Sequence, residues 1–141
     1  MKKTLTYYVL AGLCVLLGVL VAMIPNYLLP VCDLQATYLN HPPMACYYSA
    51  RAELGLGVLL ALEAVLLFWT KSKESTRMVA CTLIFTAILS LLVPSYLIGG
   101  CLNPQMSCQK VTFPSLYLVL GIELFILLLL LLQTRKQVGE D

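Results

Sequence analysis

The sequence predicts an all-α integral membrane protein with four transmembrane helices, arranged as two tandem helical hairpins. Of its 141 residues, 60% are apolar and 11% are charged, and the mean hydropathy of +0.90 exceeds what a soluble domain tolerates. Four segments reach the roughly 20 apolar residues that a helix needs to cross a bilayer. The second half of the chain also repeats a motif of the first half. We therefore expect a single membrane domain over residues 1–141.

The first apolar segment is expected to stay in the protein as a helix. It is longer than the apolar core of a secretory signal, and it ends in Pro25-Asn26-Tyr27-Leu28-Leu29-Pro30 without a small-x-small cleavage site. The other three segments are bounded by polar or Pro-rich stretches. The predicted helices are Leu5–Leu29, Ala52–Thr70, Val79–Leu97 and Ser115–Leu132.

Basic residues predict the orientation of the helices. One side of the predicted membrane carries Lys2, Lys3, Lys71, Lys73, Arg77, Arg135 and Lys136, and the other carries only Arg51 and Lys110. Lys and Arg resist translocation, so the richer side is expected to be cytoplasmic. Both termini and the loop 71–77 are therefore expected in the cytoplasm, with the loops 30–51 and 99–112 outside a plasma membrane.

A shift of 69 residues aligns two copies of a motif. Pro25-Asn26-Tyr27-Leu28-Leu29-Pro30-Val31-Cys32 falls on Pro94-Ser95-Tyr96-Leu97-Ile98-Gly99-Gly100-Cys101, and each copy is followed by a Met-x-Cys, at Met44–Cys46 and Met106–Cys108. Two linked motifs in the same order indicate a parallel internal repeat. We expect the first repeat at about 1–70, the second at about 78–135, and a polar tail at 136–141.

These residues resemble an uncharacterised family of bacterial four-helix membrane proteins with a duplicated Cys...Met-x-Cys motif in the outer loops. In that family the first copy continues into a Thr-or-Ser-x-x-Ala-Glu stretch, and this chain reads Ser49-Ala50-Arg51-Ala52-Glu53. The family commonly has a histidine directly after each Met-x-Cys, where this chain has Tyr47 and Gln109. The resemblance covers nearly the whole chain and implies a small companion of an ABC-type permease.

Four of the six cysteines lie in the two outer loops: Cys32, Cys46, Cys101 and Cys108. Three disulfide pairings are possible, and the repeat favours Cys32 with Cys46 and Cys101 with Cys108. Structural disulfides that hold the Pro-rich loops are the main interpretation.

Two chemical roles for these cysteines stay open. The layout is that of DsbB-type disulfide-generating enzymes, although the chain has no Cys-x-x-Cys. In the second role the thiols are reduced and bind Cu(I) or Zn(II). The candidate ligands are Met44, Cys46, Met106 and Cys108, with Cys32, Cys101 and His41 nearby.

Two acids fall inside predicted helices. Glu63 and Glu123 follow Cys46 and Cys108 at similar spacing, and no basic residue of the membrane core can neutralise them. They are expected to be protonated and bonded to each other or to Thr82, Thr86 or Ser90, or else to meet another chain. Glu53, Gly57 and Ala61 share one helical face that favours close packing. Arg51 and Glu53 are expected at the outer interface.

The sequence has no catalytic constellation, no nucleotide-binding glycine loop and a single histidine, which argues against an enzyme. No cofactor is expected, and the scattered basic residues argue against a nucleic-acid partner. We expect a small membrane subunit that binds, stabilises or regulates a larger membrane assembly. A thiol-disulfide oxidoreductase and a small proton- or cation-coupled oligomeric transporter are the alternatives. The expected partners are the lipid bilayer and either another membrane protein or further copies of this chain.

Overall fold

A computed structural model describes residues 5–29, 31, 45–100, 105 and 108–136. Its long helices are α1 (Leu5–Met23), α2 (Ala45–Trp69), α3 (Lys73–Leu92) and α4 (Phe113–Lys136). Wider π-helical turns adjoin three of them: π1 (Ile24–Leu28) extends α1, π2 (Val93–Leu97) extends α3, and π3 (Cys108–Thr112) leads into α4. Within the described residues, four helices are long and apolar enough to cross a membrane. The predicted all-α fold with four membrane spans is confirmed.

The helices start earlier than hydropathy predicts. The second begins at Ala45 and not at Ala52, and the third begins at Lys73 within the predicted loop 71–77. Ser72 explains the second difference, because its Oγ accepts a hydrogen bond of 3.1 Å from the backbone N–H of Ser75 and so caps α3. Hydropathy marks the part of a helix that lies in lipid, whereas caps decide where the helix begins.

Each helix packs against the helices next to it in sequence, and α4 closes the bundle by packing against α1. The short connection after Trp69 makes α2 and α3 antiparallel neighbours. We call the end of the bundle near Leu5 and Lys136 the terminal end, and the end that carries Cys46 and Cys108 the cysteine end. At the terminal end Tyr7 Oη donates to the carbonyl of Leu67 at 2.9 Å, which ties α1 to α2.

The most extensive helix contact joins α1 and α2. It is built from two small-residue pairs at four-residue spacing, Gly18 with Ala22 and Gly57 with Ala61. A Cβ atom added to Gly18 would lie 2.7 Å from the backbone nitrogen of Ala61, and one added to Gly57 would meet the backbone of Ala22. The helices therefore approach backbone to backbone, as small-xxx-small faces allow in membranes. The face predicted at Gly57 and Ala61 meets a helix of the same chain.

The two turns π1 and π2 share one equivalent backbone hydrogen bond. The backbone N–H of Leu29 donates to Ile24 O at 2.8 Å, and that of Ile98 donates to Val93 O at 3.0 Å. Each turn has a proline at its second position, Pro25 and Pro94, which supplies no N–H and so favours the wider turn. Both turns end their helix at the cysteine end, although the residue after each turn differs in conformation: Leu29 has ψ 70° and Ile98 has ψ −39°.

The side chain after each proline links its turn to the next helix. Asn26 Nδ2 donates to Ala22 O at 3.1 Å and to Ala50 O of α2 at 2.9 Å. Ser95 Oγ donates to Leu91 O at 2.9 Å and lies 2.9 Å from Tyr117 Oη of α4. The same position of the two motifs therefore links its turn to the following helix in each hairpin, through a backbone carbonyl in the first and a side-chain hydroxyl in the second.

The core is a continuous cluster of small and aliphatic side chains from all four helices, including Ala11, Leu60, Leu83 and Leu120. Large apolar side chains also cover the outside of the bundle, and Phe85 and Trp69 are 71% and 73% exposed. A water-soluble bundle hides such groups, whereas a membrane bundle turns them towards lipid. The apolar outer surface fits the membrane assignment.

Candidate functional site: acids inside the bundle

One polar side chain from each helix meets inside the bundle, and we call these four residues the acid layer: Cys14 of α1, Glu63 of α2, Thr86 of α3 and Glu123 of α4. Thr86 Oγ1 lies 3.1 Å and 3.3 Å from the two carboxyl oxygens of Glu63. Glu123 lies within electrostatic range of both Glu63 and Cys14. The layer therefore joins all four helices through polar groups in an otherwise apolar core.

The two acids of the layer differ in their surroundings. Glu123 is fully buried, and among the described residues neither of its carboxyl oxygens has a hydrogen-bond partner. Glu63 is only partly buried and has the Thr86 hydroxyl beside it. An unpartnered buried carboxyl group is costly and is rare in structures, so Glu123 calls for an explanation. Glu63 is the acid of the layer that reaches the surface of the bundle.

A third acid, Glu53, lies on α2 nearer the cysteine end. Its side chain is 1% exposed, and its Oε2 accepts a hydrogen bond from Ser90 Oγ of α3. Its other oxygen, Oε1, has no partner within the described residues. The sequence places Glu53 at the outer interface, whereas its side chain in the structure points into the bundle.

Only one of the three hydroxyls that the sequence predicts as partners for Glu63 or Glu123 bonds to either acid in the structure. Thr86 pairs with Glu63, Ser90 pairs with Glu53, and the exposed Thr82 donates to Val79 O of its own helix at 2.8 Å. Sequence reasoning missed the Glu53–Ser90 pair. The available signal was that Glu53 shares the face of Gly57 and Ala61, which is the face that packs against another helix.

Cys46 and Cys108 are both fully buried and belong to one cluster with Val31, Ala50 and Phe113 at the cysteine end. The Met-x-Cys cysteines of the two motifs therefore belong to the same buried cluster. The predicted partners Cys32 and Cys101, and the candidate ligands His41, Met44 and Met106, lie outside the described residues. Of the other cysteines, Cys14 is a buried free thiol and Cys81 an exposed one.

Arg51 lies on the surface of α2, with its guanidinium carbon 5.4 Å from the centre of the Tyr47 ring. The two residues border a shallow cavity of about 170 Å³ between π1 and the start of α2. Its other lining residues are Pro25, Asn26, Tyr27, Val31 and Ala50. Arg51 is exposed, as an anchor at a membrane interface would be.

Within the part of the chain that the structure describes, no three acid, cysteine or histidine side chains come together as a metal site would require. The acid layer offers two carboxyl groups, one hydroxyl and one thiol. These groups can bind and donate protons. We take the acid layer as the candidate functional site.

Comparison with known proteins gives a family and no activity. No curated protein and no solved structure matches the chain. The family described as "Domain of unknown function (DUF4418)" matches residues 14–133, from the middle of α1 to the last turn of α4. That match includes the acid layer, all three π turns and most of every helix, so the protein belongs to the DUF4418 family.

Proposed function

We propose that this multi-pass membrane protein is a small subunit that binds and stabilises a larger membrane assembly. The observation that carries the proposal is Glu63, a carboxyl group within a membrane span that is only partly covered by its own bundle. Ionisable side chains in spans almost always face a protein interior or a water-filled path. A helix of another protein packed over Glu63 would complete such an interior.

The surface around Glu63 suits a helix partner. We call it the α2–α3 face and define it by Leu59, Glu63 and Leu66 of α2 with Thr82 and Phe85 of α3. Leu59, Leu66 and Phe85 are 44%, 46% and 71% exposed. Thr82 is exposed as well, so the face offers apolar contact area together with two polar groups. Polar groups on such a face give a partner helix hydrogen bonds that lipid cannot supply.

An ABC-type permease is the candidate partner, and this choice comes from the resemblance of the Cys...Met-x-Cys motifs to the bacterial four-helix family. Permeases present many lipid-facing helices on which a small bundle can dock. The proposed location is a plasma membrane, with the termini in the cytoplasm, as the distribution of basic residues favours.

Site-specific crosslinking tests this proposal. A photoreactive phenylalanine analogue placed at Leu59 or Leu66 is expected to give one discrete adduct with a membrane protein in native membranes. The same analogue at Leu118 of α4, which is 62% exposed, is the matched control and is expected to react with lipid alone. Glu63→Leu should reduce the adduct at Leu66. Equal, lipid-only reaction at Leu66 and Leu118 would contradict the proposal.

Thiol-disulfide oxidoreduction is supported less well. Such an enzyme exchanges electrons through a cysteine that its protein substrate can reach. Both Cys46 and Cys108 are fully buried among apolar side chains. Their burial favours the structural role that the sequence predicts for the cysteines of the outer loops.

A further inference from the structure

The acid layer contains more ionisable groups than packing requires. One aliphatic residue from each helix would fill the same space without a desolvation penalty, as Leu60, Leu83 and Leu120 do elsewhere in the core. Instead the layer has Glu63 on α2 and Glu123 on α4, and Glu123 is fully buried with neither oxygen partnered among the described residues. A carboxyl group in these surroundings is much less costly when it is protonated and neutral than when it is charged.

We propose that the acid layer is an intramembrane proton-binding site, in which Glu123 holds a proton inside the bundle and Glu63 exchanges protons at its surface. This goes beyond the proposed subunit role, which requires of Glu63 only that it meet a partner. A proton fits better than a metal ion, because no three acid, cysteine or histidine side chains of the described residues are placed so that they could hold a metal ion together. A proton also needs no cavity, and it removes the charge that makes a buried carboxylate unfavourable.

The geometry at Thr86 shows how the site can respond to the proton. Thr86 Oγ1 is 3.0 Å from the carbonyl oxygen of Thr82 and 3.1 Å from Glu63 Oε2. A hydroxyl has one proton, so it can donate to only one of these acceptors at a time. When Glu63 is neutral, its own O–H can donate to Thr86, and Thr86 donates to Thr82. When Glu63 is ionised, Thr86 must turn its proton to the carboxylate.

The groups that face the two acids leave few other proton carriers. Helix α1 contributes the Cys14 thiol, and α3 contributes the uncharged hydroxyl of Thr86. Helices α2 and α4 contribute the two acids themselves. Glu53 lies ten residues from Glu63 on α2 and is bonded to Ser90. Glu123 has no exposed surface, so its proton is expected to reach solvent or a partner through Glu63.

Labelling with dicyclohexylcarbodiimide, which reacts with neutral carboxyl groups in apolar surroundings, tests the site directly. The protein is reconstituted in lipid, labelled over a range of pH, and each acid is quantified by mass spectrometry. Glu63 is expected to label at neutral pH and to lose its labelling as the pH rises. The exposed Glu74 is the control and is expected to stay unlabelled. Labelling of Glu63 that equals that of Glu74, or that does not change with pH, would overturn the proposal.

Three variants separate proton binding from a packing role. Thr86→Val removes the hydroxyl that stabilises the Glu63 carboxylate, so the labelling of Glu63 at a fixed alkaline pH should rise about fivefold, the effect of one hydrogen bond. Thr86→Ser should restore the wild-type labelling. Glu123→Gln keeps a neutral side chain where the proposal places a protonated acid, so the labelling of Glu63 at the same pH should stay unchanged. Unchanged labelling in Thr86→Val, or lowered labelling of Glu63 in Glu123→Gln, would contradict the proposed protonation states. If Na⁺ at fixed pH protects Glu63 from labelling, the site binds a metal cation and the assignment of a proton is wrong.

Discussion

The pair of Glu53 and Ser90 shows how a single hydroxyl decides the stability of a buried acid. Ser90→Ala leaves the fully buried Glu53 without a partner on either oxygen, so the protein is expected to lose about 1 kcal/mol of stability. Thr82→Ala is the matched control, because the Thr82 hydroxyl is exposed and bonds only to its own helix. The measurement is unfolding of the micelle-solubilised protein by SDS. Equal stability of the two variants would show that the bond contributes nothing to folding.

For individual residues, the sequence indicates which polar side chains lie within membrane spans, but not which of them form hydrogen bonds with each other. Glu63, Glu123, Thr86 and Ser90 stand out because polar groups are rare in apolar spans. Their pairing depends on the rotation of each helix about its axis, which a nearly uniform apolar pattern leaves undefined. Ser90 for that reason pairs with Glu53, which the sequence placed at the outer interface.

The contact between α1 and α2 depends on glycine at one position of each helix. Gly57→Ala adds a Cβ atom that meets the backbone of Ala22, which cannot move aside as the end of a flexible side chain can. The helices must separate, and we expect a loss of about 1–3 kcal/mol of stability. Gly55→Ala is the control two residues away, since a Cβ atom there meets nothing within 4 Å. SDS unfolding should leave Gly55→Ala at least as stable as wild type, because Ala has the higher helix propensity. A similar loss of stability in both variants would contradict the packing explanation.

At the scale of the element, the number of helices follows from hydropathy, whereas their ends follow from local chemistry. The Ser72 cap starts α3 inside the predicted loop 71–77. The prolines of π1 and π2 were visible as a repeated motif, but the wide turns that they support were not. Asn26 and Ser95, at the same position of the two aligned motifs, each link their turn to the following helix. The division of the chain into two repeats stays a prediction.

The apolar outer surface of the bundle and the few polar groups inside it have the same physical cause, which is the lipid that surrounds the protein. Lipid replaces water around Phe85 and Trp69, so burial of apolar area does not hold the helices together. Close backbone contact at Gly18 and Gly57, together with the hydrogen bonds between helices at Glu53 and Glu63, takes that role. A bundle that depends on a few polar contacts can respond to protonation or to a partner more readily than a uniformly apolar one.

The orientation of the bundle can be tested with cysteines introduced at its two ends. Ser72 lies between α2 and α3, and Gln105 precedes π3; both are exposed. The side of the membrane that includes Ser72 carries seven basic residues, and the side that includes Gln105 carries two. Ser72 is therefore expected in the cytoplasm and Gln105 outside. A membrane-impermeant maleimide should label Gln105→Cys in intact cells and Ser72→Cys only after permeabilisation. The wild-type protein measures the background from its own cysteines. Labelling of Ser72→Cys alone in intact cells would show that the bundle has the opposite orientation. The cysteine end would then face a reducing cytoplasm, where disulfides at Cys46 and Cys108 are not expected to persist.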